Sequence, residues 1–338
     1  MTQAPARIPA STTLEIPRDH NGWPLVMNQA GTARLKYRRC TKFIDVLEDQ
    51  FNLERWKQRQ IVWGLAQSPD LILQATSCRH PDGDKSVLNG VAWNSMQRAR
   101  SEAKATTGTA LHKLTERLDL GETLGRVPDP HGADLRAYEA AKKRHQLEYL
   151  FIESFRVNDG WQVAGTTDRI VKIDGRYYIA DIKTGSIDWG SGLKIAMQLA
   201  MYRHSVPYDI ATDTRGEDPV FIETDKAVII HLPAGEGKCE LHWTNTKKGW
   251  EACQTAYKVW QHRSWQRDDI MWPVADQMEL GIAPEPLISE ERAIMQAGTC
   301  NTMEQLKAHY LASAAMGIDS KEFRAAVEAR KAYLASAG

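Results

Sequence analysis

The pattern of apolar and polar positions divides the chain into a helical first part, a strand-rich middle and a helical end. From Thr41 the apolar residues recur at helical spacing. Phe43, Ile44, Val46, Leu47 and Phe51 make one stripe, and Leu53, Trp56, Ile61, Val62 and Leu65 make a second. Pro69-Asp70 opens a third helix through Leu71, Ile72 and Leu73, since proline is preset for a first helical turn. A longer helix is expected over residues 85–105, then a helical stretch from Gly108 to Glu116, and another over 131–146. The period then falls to two. Residues 147–157 read as the first core strand. Residues 162–173, with β-branched Val163, Ile170, Val171 and Ile173, suit a second. Asp174-Gly175 is a two-residue hairpin turn, because glycine accepts the positive φ that such turns need. The chain returns over 176–183, Gly185 and Gly190 end that strand, and Ser191 or Gly192 opens a helix. Residues 226–232 form a buried strand, 238–243 its partner, and 247–265 a helix. A proline-bearing linker spans 273–288, and two or three short helices follow, with starts at Ser289 and Asp319. The pattern predicts an α/β fold in four parts: a flexible N-terminal arm (1–35), a helical subdomain (36–105), a mixed β-sheet core flanked by helices (106–267), and a linker with a small C-terminal helical appendage (268–338).

Charge adds one constraint. Lys plus Arg and Asp plus Glu are equal at 43 each, so any surface for a polyanion must be local. Arg34, Lys36, Arg38, Arg39 and Lys42 form one basic cluster, read equally well as phosphate contacts or as solvated charge at a helix start. The five cysteines, Cys40, Cys78, Cys239, Cys253 and Cys300, include no C-x-x-C pair, which suggests free thiols in a reducing compartment. No segment has the apolar length of a signal peptide or a membrane span, so the expected location is cytoplasmic, of a bacterial cell or a phage-infected host, with no membrane partner. Of eleven tryptophans, Trp189 follows the third strand, where it could stack on a base, while Trp56 and Trp63 are expected in the core.

The candidate chemistry gathers in the middle. Asp168 lies in the second strand, and Asp181 and Lys183 lie two apart on the third, so their side chains leave one face of the sheet. Acids on neighbouring strands repel, and a divalent cation with oxygen ligands relieves that repulsion. Gln198 and Tyr202, four apart on the following helix, share a face, as do His112 and Glu116 further upstream. Taken alone, Asp-x-Lys is a common ladder on a solvated hairpin, and His112 is an ordinary helical histidine. Lys183-Thr184-Gly185 with Ser101-Glu102-Ala103-Lys104 also echoes the penicillin-binding enzymes, but no S-D-N element lies between them and the spacing is short for that fold.

Together, Gly165-Thr166-Thr167-Asp168, Asp181-Ile182-Lys183-Thr184-Gly185, Gln198-Leu199-Ala200-Met201-Tyr202 and the upstream Gly108-x-x-x-His112 resemble the PD-(D/E)xK nuclease superfamily, in its RecB-type branch, which includes phage recombination exonucleases and CRISPR-adaptation nucleases. Thr167 stands where a proline is common. The resemblance implies a restriction-endonuclease-like α/β core and Mg²⁺- or Mn²⁺-dependent hydrolysis of DNA, as an exonuclease in phage or bacterial recombination or repair. It implies that Asp168, Asp181, His112 and the Ile182 carbonyl hold metal, that Lys183 orients the attacking water, and that Gln198 and Tyr202 position the strand or Lys183. Glu116 and Glu153 are candidates to hold the metal's ligands in place rather than the metal itself. Some relatives carry a four-cysteine iron–sulfur cluster, which the cysteine spacing here does not support. DNA is the expected partner, with room for a single-strand annealing or recombination protein and for a homo-oligomer. The alternative is a catalytically silent DNA-binding recombination or packaging factor on the same fold.

Overall fold

A computed structural model describes residues 15–101, 103–187, 192–272, 289–315 and 317–336. Trp189, Ser191 and the expected linker 273–288 lie outside these. The chain forms two compact units, residues 1–264 and 265–338.

In the first unit, β1 (Leu25–Met27) and β2 (Arg34–Lys36) form an antiparallel hairpin within the expected N-terminal arm, with Val26 buried against Tyr37, Phe155 and Tyr208. Then come β3 (Arg38–Arg39), α1 (Cys40–Ile44), α2 (Phe51–Ala66), α3 (Pro69–Thr76), α4 (Lys85–Arg98), α5 (Ala103–Asp119) and α6 (His131–Arg144). The core strands are β4 (Glu148–Asn158), β5 (Val163–Ile173) and β6 (Arg176–Lys183). After them follow α7 (Gly192–Arg203), β7 (Val206–Asp209), β8 (Thr214–Arg215), β9 (Lys226–His231), β10 (Glu240–Asn245) and α8 (Thr246–His262). Among the described residues, eight strands make one mixed sheet in the order β10-β9-β6-β5-β4-β7-β8, with β3 parallel to the start of β5. This is the mixed α/β sheet expected of a restriction-endonuclease-like core.

The sheet is covered on both faces, which is why β9 reads as the unbroken apolar run Ala227-Val228-Ile229-Ile230 beside its parallel neighbour β6. Ile170 and Ile179 pack under α1, α7 and α8 on one face. Val171, Ile173, Tyr178, Ala180 and Ile182 pack under α6 on the other. Two devices hold α7 in place. A Cβ on Gly249 of α8 would collide with the Ala196 carbonyl of α7, so the bare glycine sets how closely these helices approach. At the far end of α7, fully buried Arg156 donates to the Tyr202 carbonyl at 2.9 Å and to the Ser205 carbonyl at 2.6 Å, and pairs with both oxygens of Asp218 at 2.8 and 2.7 Å.

Several local expectations change. The helix expected over 85–105 is two helices, because Arg100 takes the left-handed backbone conformation (φ 54°) and turns the chain between α4 and α5. The helix expected from Thr41 is the short α1 followed by a single 3₁₀ turn, Asp45–Leu47. Trp56 and Trp63 are not core: they are 36% and 63% exposed. Helices α2–α4 bury only Leu71 and Val91 among their large apolar side chains, around a close backbone approach of Gly64 to Ser95, and such a thin interior cannot cover an indole. The second unit contains α9 (Glu290–Thr299), α10 (Met303–Ala315) and α11 (Lys321–Ser336) around Ala293, Ala297, Leu306, Phe323 and Val327. Ser289 caps α9 through the Arg292 N–H, as expected. At α11 the hydroxyl of Ser320, not Asp319, accepts the first-turn N–H of Phe323, while Asp319 pairs with Arg324.

Removing the Asp218 carboxylate strands a buried guanidinium. Asp218→Ala should therefore lower unfolding stability by about 3–5 kcal/mol. Glu54→Ala, which breaks the exposed Lys57–Glu54 pair, should cost about 1 kcal/mol or less. Urea denaturation of the two variants checks this, and equal midpoints would refute the anchoring role of Arg156.

Candidate active site

The site forms where two strands part. β5 and β6 stay hydrogen-bonded from the Ile173–Arg176 pair at the hairpin turn to the Arg169–Ala180 pair, and there the ladder ends. The next residue on each strand is an aspartate, Asp168 and Asp181. Beyond this point β6 runs beside β9, and the freed N–H of Ile182 donates to Asp168 Oδ2 at 2.8 Å. Asp181 is 2% exposed, and Asp168 is half-buried. Burial raises the Asp181 pKa to about 6, helped by the charge of Asp168 and opposed by Lys183. Burial also raises that of Asp168, against the Ile182 N–H and the Lys183 and Arg169 charges. Two carboxylates in one sparsely hydrated site resist joint ionisation until a cation joins them.

Lys183 leaves the same face as Asp181. Its ammonium pairs with Asp181 Oδ2 at 2.7 Å and donates to Gln198 Oε1 at 3.2 Å. The Gln198 amide donates to Asp181 Oδ1 at 3.2 Å and to the Tyr202 hydroxyl at 3.3 Å. The helix spacing of Gln198 and Tyr202 thus brings both onto the acid–lysine pair. Gly165 makes this fit: a Cβ there would stand 2.8 Å from the Tyr202 ring and 3.1 Å from Cys40.

His112 arrives from α5, with Nδ1 3.4 Å from Asp168 Oδ2 and the Ile182 carbonyl beside its ring. Burial lowers its pKa, the attraction of Asp181 opposes that, and the result favours the neutral imidazole a metal requires. Gly108, one turn earlier, lets α5 lie against the loop after Lys183, since a Cβ there would meet Thr184 Oγ1 at 2.6 Å. Glu116 does not hold the His112 ring: among the described residues it makes neither a hydrogen bond nor an ion pair with it. Its charge acts on Glu153.

Glu153 lies across from Asp168, between the Ile152–Arg169 and Ser154–Thr167 pairs of the β4–β5 ladder. Its backbone has φ 53°, an uncommon conformation for a glutamate in a strand. Burial, then the charge of Asp168, pushes its carboxyl up to about 7, against Arg169 at 3.3 Å. The sequence reading missed the network behind this. Fully buried Arg169 donates to the Asp168 carbonyl at 2.6 Å and to Asp119 at 2.8 Å. Asp119 also accepts from Tyr138 at 2.6 Å and from Lys142 at 2.6 Å. An arginine inside the β-branched run 169–173 was the available signal.

Among the described residues no three His, Cys, Asp or Glu side chains stand preformed around one point. The donor chemistry nevertheless suits a divalent ion. The donors are two carboxylates whose charges burial disfavours, a neutral imidazole and a backbone carbonyl.

A family model for the PD-(D/E)XK nuclease superfamily matches residues 92–326, more than half of the chain, and the chain belongs to that superfamily. No curated protein matches it. Among solved structures, one titled "Crystal structure of SSO0001" is similar at 15% identity with a TM-score of 0.22, over 37% of this chain and 57% of that one. The chain thus spans a little over half of that relative.

The fit of Gly108 generates a test. Gly108→Ala should slow metal-dependent cleavage about tenfold, since misplacing a reacting group by about 1 Å can cost as much as 10²-fold. Thr184→Ala, which removes the clashing hydroxyl, should restore most of the rate in the double variant. Additive losses in a rate assay of the four proteins would refute the contact.

Proposed function

We propose that this chain is a metal-dependent DNA nuclease of the RecB type, acting as an exonuclease in phage or bacterial recombination or repair. The observation that carries the reading is the meeting of Asp168, Asp181 and Lys183 where β5 and β6 separate, with Gln198 of α7 bridging the last two. Decayed members of such a fold would be expected to lose an acid or the lysine, and here both acids, the lysine and His112 are present.

Asp168, Asp181, His112 and the Ile182 carbonyl would hold Mg²⁺ or Mn²⁺. When bound, such an ion supplies Lewis acidity at the scissile phosphate and lowers the pKa of a bound water. The chain's own residues do the rest. Lys183, steered by Gln198 Oε1, presents its ammonium beside Asp181, where it can hold a non-bridging phosphate oxygen and orient the attacking water. Tyr202 keeps Gln198 turned toward this pair. Glu153, with its raised pKa, stands one strand away as a carboxyl that can exchange a proton near neutral pH.

Three substitutions test the assignment on linear DNA labelled at either end, with nicked and closed circular DNA alongside. Asp181→Asn and Lys183→Ala should each slow cleavage by about 10²–10³-fold or more while DNA binding and fold survive. His112→Ala should raise the metal concentration for half-maximal rate and cut the maximal rate by about 10²-fold. Wild-type cleavage by Asp181→Asn would defeat the site assignment, and no cleavage by the unaltered chain with either metal would defeat the nuclease reading. Cleavage of closed circles as fast as of linear DNA would defeat the exonuclease reading.

A further inference from the structure

Helix α2 carries a side that no other described helix covers. Its contact with α4 runs through Gly64, where a Cβ would collide with the Ser95 carbonyl. At 3.6 residues per turn, Phe51, Arg55, Arg59 and Val62 lie around the opposite side of the cylinder, with Trp63 on its flank. Phe51 is 61% exposed, Val62 67% and Trp63 63%. Arg55, Arg59, Val62 and Trp63 line a shallow cleft of about 360 Å³.

The charges on this strip are uncompensated. Neighbouring Lys57 pairs with Glu54 at 2.8 Å. Among the described residues neither Arg55 nor Arg59 has an acidic partner, and Arg55 lies over the Phe51 ring at 5.3 Å. In a chain of zero formal net charge, two free guanidiniums one turn apart, followed one turn later by an open indole, form a local cationic and aromatic strip. Its complement is an anion that also offers flat faces. An apolar protein surface would desolvate both guanidiniums without pairing them. A two-fold contact with a second copy centred on this strip would set the cationic strip against itself. A single strand of DNA supplies phosphates to the arginines and bases to the indole.

We propose that the outward strip of α2 docks a single strand of DNA, with Trp63 stacking on a base and Arg55 and Arg59 contacting phosphates. The inference rests on the reading of the chain as a DNA nuclease. It adds the strand form that the enzyme holds outside its hydrolytic centre. The strip is joined to that centre through the chain itself, since α4, the partner of α2, leads directly into α5 with His112.

The test measures anisotropy of a labelled oligothymidylate with the full chain in EDTA, so that nothing is cut. Trp63→Ala should weaken binding about tenfold, and Trp63→Phe, which keeps a ring, should bind nearly as the unaltered chain does. Arg55→Ala with Arg59→Ala should lower the slope of log Kd against log salt by about 0.7 for each arginine. Unchanged affinity and slope in these variants, in a protein that still cleaves DNA, would overturn the strip and leave the nuclease reading standing. Conversely, Trp63-dependent binding by a chain that cuts no DNA with Mg²⁺ or Mn²⁺ would support the strip and defeat the nuclease reading. A change of mass in solution for Trp63→Ala with unaltered oligothymidylate binding would overturn the proposal in favour of contact between copies. All the altered side chains are exposed, and Trp63→Phe with the arginine pair keeps the test decisive if Trp63→Ala fails to fold.

Discussion

The repulsion between Asp168 and Asp181 is the constraint around which the nuclease core is arranged. The β5–β6 ladder ends one residue short of both, so the sheet delivers two carboxylates to one half-dry corner without a backbone bond between them. Burial raises both pKa values, with the charge of Asp168 adding to the rise at Asp181, and nearby groups offset only part of the cost: Lys183 beside Asp181, the Ile182 N–H on Asp168, and the Gln198 amide on Asp181. A site left in this condition is suited to a cation and is poorly explained as a structural ion pair.

The helices serve as supports for this corner. α7 brings Gln198 and Tyr202, and its place is fixed by the bare backbone of Gly249, by the space Gly165 leaves for the Tyr202 ring, and by the Arg156–Asp218 anchor. α5 brings His112 because Gly108 lets it touch Thr184. On the opposite face of the sheet, Arg169 ties the Asp168 carbonyl to Asp119, Tyr138 and Lys142. Buried pairs of this kind contribute little net stability compared with apolar side chains of equal volume. We therefore read the network as a device that holds Asp168 in a fixed position.

Much of this was legible in the sequence because it rests on short-range rules. The β-branched run, the Asp174-Gly175 turn and the Asp-x-Lys spacing fix the hairpin and the shared face of Asp181 and Lys183, and four-residue spacing pairs Gln198 with Tyr202. The superfamily those residues suggest is the one whose family model matches residues 92–326. Other features depend on tertiary facts that spacing does not carry. Trp56 and Trp63 occur at helical intervals that suit a core, yet no neighbouring layer covers them, because α2 meets α4 through Gly64 and Ser95 and these helices bury few large apolar side chains between them. The break at Arg100 needs a left-handed residue that propensity does not mark. The Asp119–Arg169 pair joins residues fifty positions apart and becomes visible only when α5 and β5 are packed.

The central claim is that Asp168 and Asp181 together form a divalent-cation site, and the most direct measurement is Mn²⁺ binding followed by electron paramagnetic resonance. The full chain should bind Mn²⁺ saturably, and Asp168→Asn should bind it at least about tenfold more weakly with its fold intact. Identical Mn²⁺ binding by the unaltered chain and Asp168→Asn would contradict the account.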